Sequence, residues 1–475
     1  MTDGLPRAVV LVDGEHYPPV VAAALEGLRR RYEVAGGLFA GGREKLRGGE
    51  GEALERLAAE LGLPRLDRVD PAGAAPHEVL EGARAALRAA RAAALVDLSD
   101  EPVVGYRERF LLMSAALAEG ARYVAADTEV RPQDFARLEG LPALGVIGTG
   151  KRVGKTAVSG WLARRLDSAL RARGGVTVLA MGRGGPPEPE LVPGREGLGA
   201  ADLLAASRRG RHAASDCYED AVLAGVPTIG CRRCGGGLAG APFDDTVRAA
   251  LPLLEESAAA LAVIEGSGSV VPPVACDAAV CVSSAAQPVD YVAGLLGAYR
   301  LLLSDVLVLT QCEAPFADAV RVRKVTEAAL AVRPGLRVVP AVFRPRPARP
   351  VRGRRVAFFT TAPEDAVPRL ARALAEDHGA EVILVSAALA DRGRLAADVA
   401  RAAREADVFL CEIKAAAVDV VAEAADAAGR ELVFCDNEPV ALAGDLGAAV
   451  DEAAGLAAER FAARRAAAAP AGARP

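Results

Sequence analysis

The sequence predicts an α/β fold in which helices cover parallel sheets, and two observations lead to this prediction. First, short apolar runs typical of buried strands alternate with longer stretches of helical spacing along the chain. Parallel strands are joined by crossover helices, so this alternation favours parallel sheets. Second, the apolar run Leu144–Ile147 is followed by a glycine-rich loop and then a helical pattern. The predicted architecture is therefore a P-loop NTPase-type parallel sheet domain flanked by N-terminal and C-terminal Rossmann-like α/β domains.

An N-terminal α/β domain is expected over residues 1–140. Its strands are predicted at Ala8–Val12, Glu33–Phe39, Ala93–Leu98 and Tyr123–Ala126. The chain has only a short apolar run before Asp13, so its first segment is expected to be a strand of this sheet and not a signal peptide.

A P-loop ATP-binding domain is expected over residues 141–343. Strands are predicted at Leu144–Ile147, Val176–Met181, Leu261–Ile264, Ala278–Val282 and Val306–Thr310. Helices are predicted at Lys155–Arg173, Asp244–Ala260, Val289–Leu303 and Ala317–Val332. The Gly/Pro-rich region 186–240 is where such a domain would carry substrate loops.

A C-terminal α/β domain is expected over residues 351–463, after an extended Pro/Arg linker at 344–354. Its strands are predicted at Val356–Thr360, Val382–Val385, Val408–Cys411 and Leu432–Phe434. The residues from about Arg464 onward are rich in Ala, Arg and Pro and are expected to fray.

Composition excludes several classes of function. The net charge of −5 argues against bulk nucleic-acid binding, which needs a basic surface. No apolar run reaches the ~18 residues needed to span a bilayer, and eight scattered cysteines do not form a disulfide scaffold. A cytoplasmic enzyme is expected, and an anionic substrate must be held by local cationic side chains.

The loop from Gly148 to Thr156 carries the strongest chemical signal. Its glycines allow backbone N–H groups to approach phosphate oxygens, and the following helix directs its positive end to the same place. Lys155 can then bridge the β- and γ-phosphates, and the Thr156 hydroxyl can bind Mg²⁺. The strict motif has glycine where this chain has Thr149, so a chance glycine-rich turn is the alternative. The expected nucleotide-binding residues are Gly148, Thr149, Gly150, Arg152, Val153, Gly154, Lys155 and Thr156.

Three charged residues, one within the loop and two after other strands, are expected to act at this site. Lys151 could neutralise a transferring phosphoryl group or be a solvated loop charge, as could Arg152. Glu265 ends an apolar strand before a Gly/Ser turn, which suits an Mg²⁺ ligand, although a charged residue that caps a strand is the alternative. Arg183 follows another strand and could grip a phosphate or face solvent.

A Cys-x-x-Cys segment, Cys231 to Cys234, encloses Arg232 and Arg233. With His212 and Cys217 it would supply four zinc ligands, but a single tight cysteine pair is weak support for zinc. Redox activity is a second alternative. The preferred interpretation is a substrate loop in which the two arginines bind an anion.

Charged residues also follow strands in the outer domains, where an α/β sheet commonly binds ligands. In the first domain, His16 and Arg107 are candidates to bind substrate, with a structural histidine or a helix cap as the alternatives. In the third, Lys414 begins a predicted helix, where a cation is poorly placed unless it shares the site with an anion.

Several of these segments resemble known proteins. The loop Gly148–Thr156 and the segment Val263–Gly268 are similar to those of dethiobiotin synthetase. Over the whole chain the closer resemblance is to the cyclic 2,3-diphosphoglycerate synthetase family. The segments that carry it are Leu11–Pro19, Gly148–Thr156, Arg183–Pro186, Cys231–Gly237, Phe358–Pro363 and Asp436–Pro439.

The family resemblance implies an enzyme that uses ATP and Mg²⁺ to close 2,3-diphosphoglycerate into a cyclic pyrophosphate, with release of ADP and phosphate. A homodimer is implied by analogy, because this branch of P-loop proteins commonly dimerises. The alternatives are another ATP-dependent ligase or kinase of the dethiobiotin synthetase type, acting on a different small anion, and a regulatory P-loop ATPase.

Overall fold

A computed structural model describes residues 4–42, 44, 50–194, 216–413 and 418–468. Contacts within the chain group it into two compact units. The first unit comprises Met1–Asp134, Gln287–Ser304 and Arg323–Leu336, and the second comprises Phe135–Ala286, Asp305–Val322 and Arg337–Pro475. The C-terminal block and most of the middle block thus lie in the second unit, while residues 287–304 and 323–336 of the middle block belong to the first. The three-domain division at 1–140, 141–343 and 351–463 stays a prediction.

The first unit contains a six-stranded sheet. Its strands are β1 (Arg7–Val12), β2 (Glu33–Phe39), β3 (Leu66–Arg68), β4 (Ala94–Asp97), β5 (Arg122–Val124) and β6 (Glu129–Val130). The order is β3-β2-β1-β4-β5-β6, with only the last pair antiparallel. The helices of its sequence block are α1 (Pro18–Arg29), α2 (Glu50–Glu60), α3 (Pro76–Ala90) and α4 (Tyr106–Ala118). All four predicted strands of this block are confirmed within a few residues at their ends.

The second unit is built on one continuous sheet. Its strands are β7 (Ala143–Gly148), β8 (Val176–Gly182), β9 (Glu190–Val192), β10 (Thr228–Cys234), β11 (Asp244–Asp245), β12 (Leu261–Glu265), β13 (Ala278–Ser284), β14 (Val306–Thr310), β15 (Arg337–Pro347), β16 (Arg355–Phe359), β17 (Glu381–Ser386), β18 (Val408–Glu412) and β19 (Glu431–Ala441). The order is β11-β10-β8-β12-β7-β13-β14-β15-β19-β18-β16-β17, with β9 on β10. The central strands are buried along their whole length, as expected of a parallel sheet with both faces covered.

The remaining helices are α5 (Lys155–Leu170), α6 (Asp216–Leu223), α7 (Val247–Glu256), α8 (Val289–Val292), α9 (Gly297–Leu302), α10 (Ala319–Val332), α11 (Val367–His378), α12 (Arg392–Glu405), α13 (Val418–Ala427) and α14 (Leu446–Ala468). None of the described helices is both long and apolar enough to cross a membrane. The α/β fold class with parallel sheets is confirmed.

Two helix predictions and the prediction of a frayed C-terminal end need correction. The predicted helix at 244–260 begins only at Val247, because Asp244 and Asp245 pair with β10. The predicted helix at 289–303 is two short helices, α8 and α9. The predicted fraying from Arg464 is wrong for the first residues, since α14 continues to Ala468 and Arg464 donates to the Leu138 carbonyl oxygen at 2.9 Å.

The predicted linker at 344–354 is wrong for its first four residues, which belong to β15. This strand runs parallel to β14 in its first part and antiparallel to β19 in its second part, and so joins the two halves of the sheet. The Leu442 N–H donates to the Pro340 carbonyl oxygen and the Ala348 N–H donates to the Phe434 carbonyl oxygen, so these two residue pairs are hydrogen-bonded pairs of the antiparallel ladder. Hydrogen-bonded and non-hydrogen-bonded pairs alternate along such a ladder. Pro345, Pro347 and Pro439 therefore lie in non-hydrogen-bonded pairs, where a missing N–H breaks no bond between β15 and β19.

Candidate active site

The loop between β7 and α5 has the geometry of a phosphate cradle. Gly154 lies in the left-handed region (φ 81°), as does Arg152 (φ 63°). A Cβ on Gly154 would overlap the ring of Phe343, and one on Gly148 would lie 2.9 Å from the Gly268 carbonyl oxygen. Glycine is therefore required at both positions for steric reasons. The loop leads into α5, whose first residue is Lys155.

Two neighbouring strands anchor this loop from behind. The Thr149 hydroxyl lies 2.7 Å from the Ser283 hydroxyl at the end of β13, and the Thr149 N–H donates to the Val282 carbonyl oxygen at 3.2 Å. The Thr310 hydroxyl, at the end of β14, lies 2.7 Å from the Val153 carbonyl oxygen. Thr149, which departs from the strict motif, thus ties the loop to the sheet.

Lys155 and Glu265 form a buried ion pair beside the loop. The Lys155 Nζ donates to the Glu265 Oε1 at 2.5 Å, and the two side chains are 6% and 1% exposed. The pair follows from the sheet order, because β12, which ends at Glu265, lies next to β7. The Glu265 Oε2 is buried and accepts no hydrogen bond. A buried carboxylate oxygen in this state is suited to a cation or a ligand donor.

A cavity of about 720 Å³ opens in front of the loop. Its lining residues all come from the second unit. Eight of the predicted site residues are among them, namely Gly150, Lys151, Arg152, Val153, Gly154, Lys155, Thr156 and Arg183. The described lining carries six cationic side chains and four carboxylates, so the cavity wall is cationic although the chain has a net charge of −5. Such a wall attracts phosphorylated ligands.

Three family models match the chain in succession. They are the cyclic 2,3-diphosphoglycerate synthetase N-terminal domain over residues 7–131, its P-loop domain over 143–342 and its C-terminal domain over 347–438. The chain belongs to the cyclic 2,3-diphosphoglycerate synthetase family.

Relatives with this name align over nearly their whole length. The protein of Rubrobacter xylanophilus is 50% identical, covering 92% of this chain and 94% of the relative. Those of Methanothermus fervidus and Thermococcus gammatolerans are 38% and 41% identical, each covering 92% of this chain and 93% and 94% of the relative. The crystal structure of hydrogenase maturation factor HypB from Archaeoglobus fulgidus aligns at 15% identity and a TM-score of 0.27, covering 43% of this chain and 82% of that one. That likeness is too weak to support an inference.

In this member of the synthetase family, sequence reasoning missed the part of the cavity wall that lies after residue 350. Glu412 ends β18 and is buried. Its Oε1 accepts from the Thr360 hydroxyl at 2.9 Å and from the Asn437 Nδ2 at 2.8 Å, and its Oε2 accepts from the Thr361 N–H at 2.9 Å. One carboxylate thus ties the end of β18 to the two residues that follow β16 and to the middle of β19. The signals in the sequence were that Glu412 ends an apolar run and that the segments Phe358–Pro363 and Asp436–Pro439 carry the family resemblance.

The Cys231–Cys234 segment has a supporting role in the described structure. Arg233 is buried, and its guanidinium donates to the carbonyl oxygens of Gly235 at 2.7 Å and Ser267 at 2.8 Å, which fixes the turn after Glu265. Arg232 is exposed, and neither arginine lines the cavity.

The described cysteines give no support for a zinc site. Burial raises the pKa of the Cys231 thiol to about 12, whereas Cys234 is exposed. Within the described ranges, no group of three or more His, Cys, Asp or Glu residues could hold a metal. His212, which the zinc alternative requires, lies outside these ranges.

The first unit holds two of the residues predicted to bind substrate. The His16 Nδ1 lies 2.8 Å from the Asp13 Oδ1, and Asp13 also accepts from the backbone N–H groups of Glu15 and Asp100. The Arg107 side chain is 80% exposed and lies 3.6 Å from Asp290 of the same unit. Lys414 lies outside the described residues. Substrate binding by these three residues stays a prediction.

Proposed function

We propose that the chain is an ATP-dependent synthetase that closes 2,3-diphosphoglycerate into cyclic 2,3-diphosphoglycerate and releases ADP and inorganic phosphate. The observation that carries this proposal is the buried Lys155–Glu265 pair at a phosphate cradle whose cavity is lined by six cationic side chains. Relatives that align over more than nine tenths of the chain carry the name of this enzyme. Its substrate is therefore a small phosphorylated molecule.

The proposed reaction has two phosphoryl-transfer steps. An oxygen of one substrate phosphate attacks the γ-phosphorus of ATP, and the bond between that phosphorus and the β-γ bridging oxygen breaks to release ADP. The substrate then carries a diphosphoryl group. An oxygen of its other phosphate attacks the phosphorus nearest the glycerate carbon, which closes the ring and expels the former γ-phosphoryl group as inorganic phosphate.

Both attacking groups are anions, so the site must supply positive charge where negative charge builds up. Lys155 holds the β- and γ-phosphates together with the backbone N–H groups of the loop and the N-terminus of α5. Lys151, Arg152 and Arg183 line the same cavity and neutralise the phosphates that meet in each step. The residues that line the cavity also exclude part of the water that would otherwise hydrolyse the activated phosphate.

The donor set fits Mg²⁺. The Glu265 Oε2 is buried without a hydrogen-bond partner, and Thr156 lines the cavity with its hydroxyl-bearing side chain. Mg²⁺ commonly takes only one or two protein ligands and completes its shell with phosphates and water, so a larger cluster of carboxylates is not required. When bound, Mg²⁺ supplies charge neutralisation at the phosphate oxygens.

Phosphorus NMR of a reaction with ATP, Mg²⁺ and 2,3-diphosphoglycerate tests the proposal. A cyclic pyrophosphate signal is expected with the wild-type protein. Lys155→Ala is expected to abolish ATP-dependent turnover, while Lys324→Ala, at an exposed lysine of α10, retains it. ATP binding without the cyclic product would indicate a different ATP-dependent ligase or kinase, and unchanged turnover in Lys155→Ala would refute the role of the loop.

Two further properties belong to the proposal. The chain forms a homodimer, by analogy with this branch of P-loop proteins, and it works in the cytoplasm on a soluble substrate. Light scattering coupled to size exclusion measures the first property directly. A monomer at micromolar concentration would refute it.

A further inference from the structure

The two ends of the cavity differ in chemistry. One end is lined by Lys155, which is paired with the buried Glu265, and by Arg183, whose Nη2 would lie 3.3 Å from a Cβ on Gly268, in the turn after Glu265. Lys155 bridges the β- and γ-phosphates of a nucleotide bound to such a loop. This end therefore takes the terminal phosphates, and the nucleoside must extend away from it.

The other end of the cavity lies beside the second part of the loop and carries two aromatic rings and three aliphatic side chains. The Gln311 Nε2 lies 3.4 Å from the Arg152 carbonyl oxygen, so the segment after β14 follows the loop closely. Phe316 of this segment lines the cavity, as does Phe343, whose ring packs on Gly154. Three apolar residues complete this end from the segment after β16, namely Ala362, Ala366 and Leu370.

Arg369 of α11 lies over the ring of Phe316. Its Cζ lies 5.8 Å from the centroid of the Phe316 ring. The guanidinium is held by the Ala314 carbonyl oxygen and by Glu313, whose Oε1 is 3.3 Å from its Nη1. The Arg369 Nε is buried and donates to no protein acceptor. An aromatic ring and a planar guanidinium with a spare donor are suited to stacking and hydrogen bonding with a heteroaromatic base.

We propose that this end of the cavity, defined by Phe316, Phe343, Ala362, Ala366, Arg369 and Leu370, is the base subsite and holds the purine ring of ATP. The segment after β16 thus completes a nucleotide site that the P-loop begins, so the C-terminal block recognises the nucleotide. The proposal rests on the proposed use of ATP.

Isothermal titration calorimetry with ATP and with inorganic tripolyphosphate, each with Mg²⁺, distinguishes the contribution of the nucleoside to the binding affinity from that of the phosphates. Phe316→Leu keeps an apolar side chain but removes the π face. It is expected to weaken ATP binding about tenfold, within the range for loss of one base–aromatic stack, and to change tripolyphosphate binding less than twofold. The matched control is Phe461→Leu, because Phe461 also has an arginine over its ring, at 5.2 Å, but does not line the cavity.

A second pair of variants tests the guanidinium. Arg369→Lys keeps the charge but loses the plane and the Nε donor, and it is expected to weaken ATP binding severalfold without changing tripolyphosphate binding. Arg372→Lys, at an exposed arginine of the same helix, is expected to have no effect on either ligand.

The outcomes are distinguishable. An equal loss of ATP and tripolyphosphate affinity in Phe316→Leu would overturn the base subsite, because the residue would then act on the phosphates or on the fold. Unchanged ATP affinity in both Phe316→Leu and Arg369→Lys would overturn it too, because the base would bind elsewhere. A wild-type protein that binds neither ligand would instead refute the proposed use of ATP.

Discussion

Gly154→Ala perturbs the phosphate loop at the position where the backbone and a neighbouring ring both require glycine. Gly154 has φ 81° and ψ 18°, in the left-handed region. A Cβ there would overlap the Cζ and Cε2 atoms of Phe343 and lie 3.4 Å from its Cε1. Two separate penalties therefore apply to this substitution, one from the backbone conformation and one from the ring.

The magnitude follows from these two terms. The left-handed conformation costs a non-glycine residue about 1–2 kcal/mol. Overpacking against a well-packed side chain costs about 1–3 kcal/mol more. We therefore expect Gly154→Ala to lower the free energy of unfolding by about 2–5 kcal/mol. In a Phe343→Leu background the overlapping ring atoms are gone, so only the backbone term of about 1–2 kcal/mol should remain.

Urea unfolding followed by tryptophan fluorescence measures this directly. The chain has a single tryptophan, Trp161, and it lies on α5 just after the loop. Gly160→Ala is the control on the same helix, because a Cβ there meets only the Asp220 Oδ1 at 3.7 Å and alanine favours a helix interior by about 0.5–1 kcal/mol. An equal effect of Gly154→Ala in both backgrounds would refute the clash, and an effect below about 1 kcal/mol in both would refute the backbone term as well.

Three further predictions concern the surroundings of the loop. Glu265→Gln leaves a buried ammonium without its charged partner, so unfolding should become easier by about 3–5 kcal/mol and ATP turnover should be lost, as measured by urea unfolding and ADP release. Thr149→Val removes the hydroxyl contact to β13, which should lower stability by about 1 kcal/mol and weaken ATP binding, whereas Thr149→Ser should retain both. Iodoacetamide at pH 8 should label the exposed Cys234 but spare Cys231, because burial raises the pKa of the Cys231 thiol to about 12 and keeps it neutral; peptide mass spectrometry reads this out.

Each of these predictions has an outcome that would contradict it. For the ion pair, an equal effect of Glu256→Gln, at an exposed glutamate of α7, would show that charge removal in general and not burial is responsible. For Thr149, full stability and affinity of the valine variant would show that the hydroxyl does not anchor the loop. Rapid labelling of Cys231 would show that its strand opens at pH 8.

The strands and the phosphate loop could be predicted from the sequence because their signals are local. Buried parallel strands are apolar over their whole length, and the glycines of a phosphate loop are required by the backbone itself. Lys155 and Glu265 could be predicted as partners in one site because both follow central strands, whose carboxyl ends share one edge of the sheet.

The pairing of Lys155 with Glu265 at 2.5 Å, the contact of Thr149 with Ser283 and the packing of Phe343 on Gly154 could not be predicted in this way. Each joins residues more than a hundred positions apart, and no local pattern encodes such a distance. The same holds for β15, whose prolines suggest a free linker although its second part pairs with β19. Arg233 is a further case, since an arginine in a glycine-rich segment suggests an anion ligand, whereas its donation to two backbone carbonyl oxygens is seen only in the tertiary structure. Substrate binding by Arg233 stays a prediction.

The sequence by itself determined the alternation of strands and helices, the identity of the phosphate loop and, through its family resemblance, the expected reaction. Those properties depend on residues near one another in the chain or on similarity of whole segments. Only the tertiary structure decided that the segment after β16 lines the same cavity as the loop, and that Arg369 meets Phe316 there. The physical reason is that the long strands β15 and β19 join the two halves of the second unit's sheet, and such non-local pairing has no signature in either segment alone.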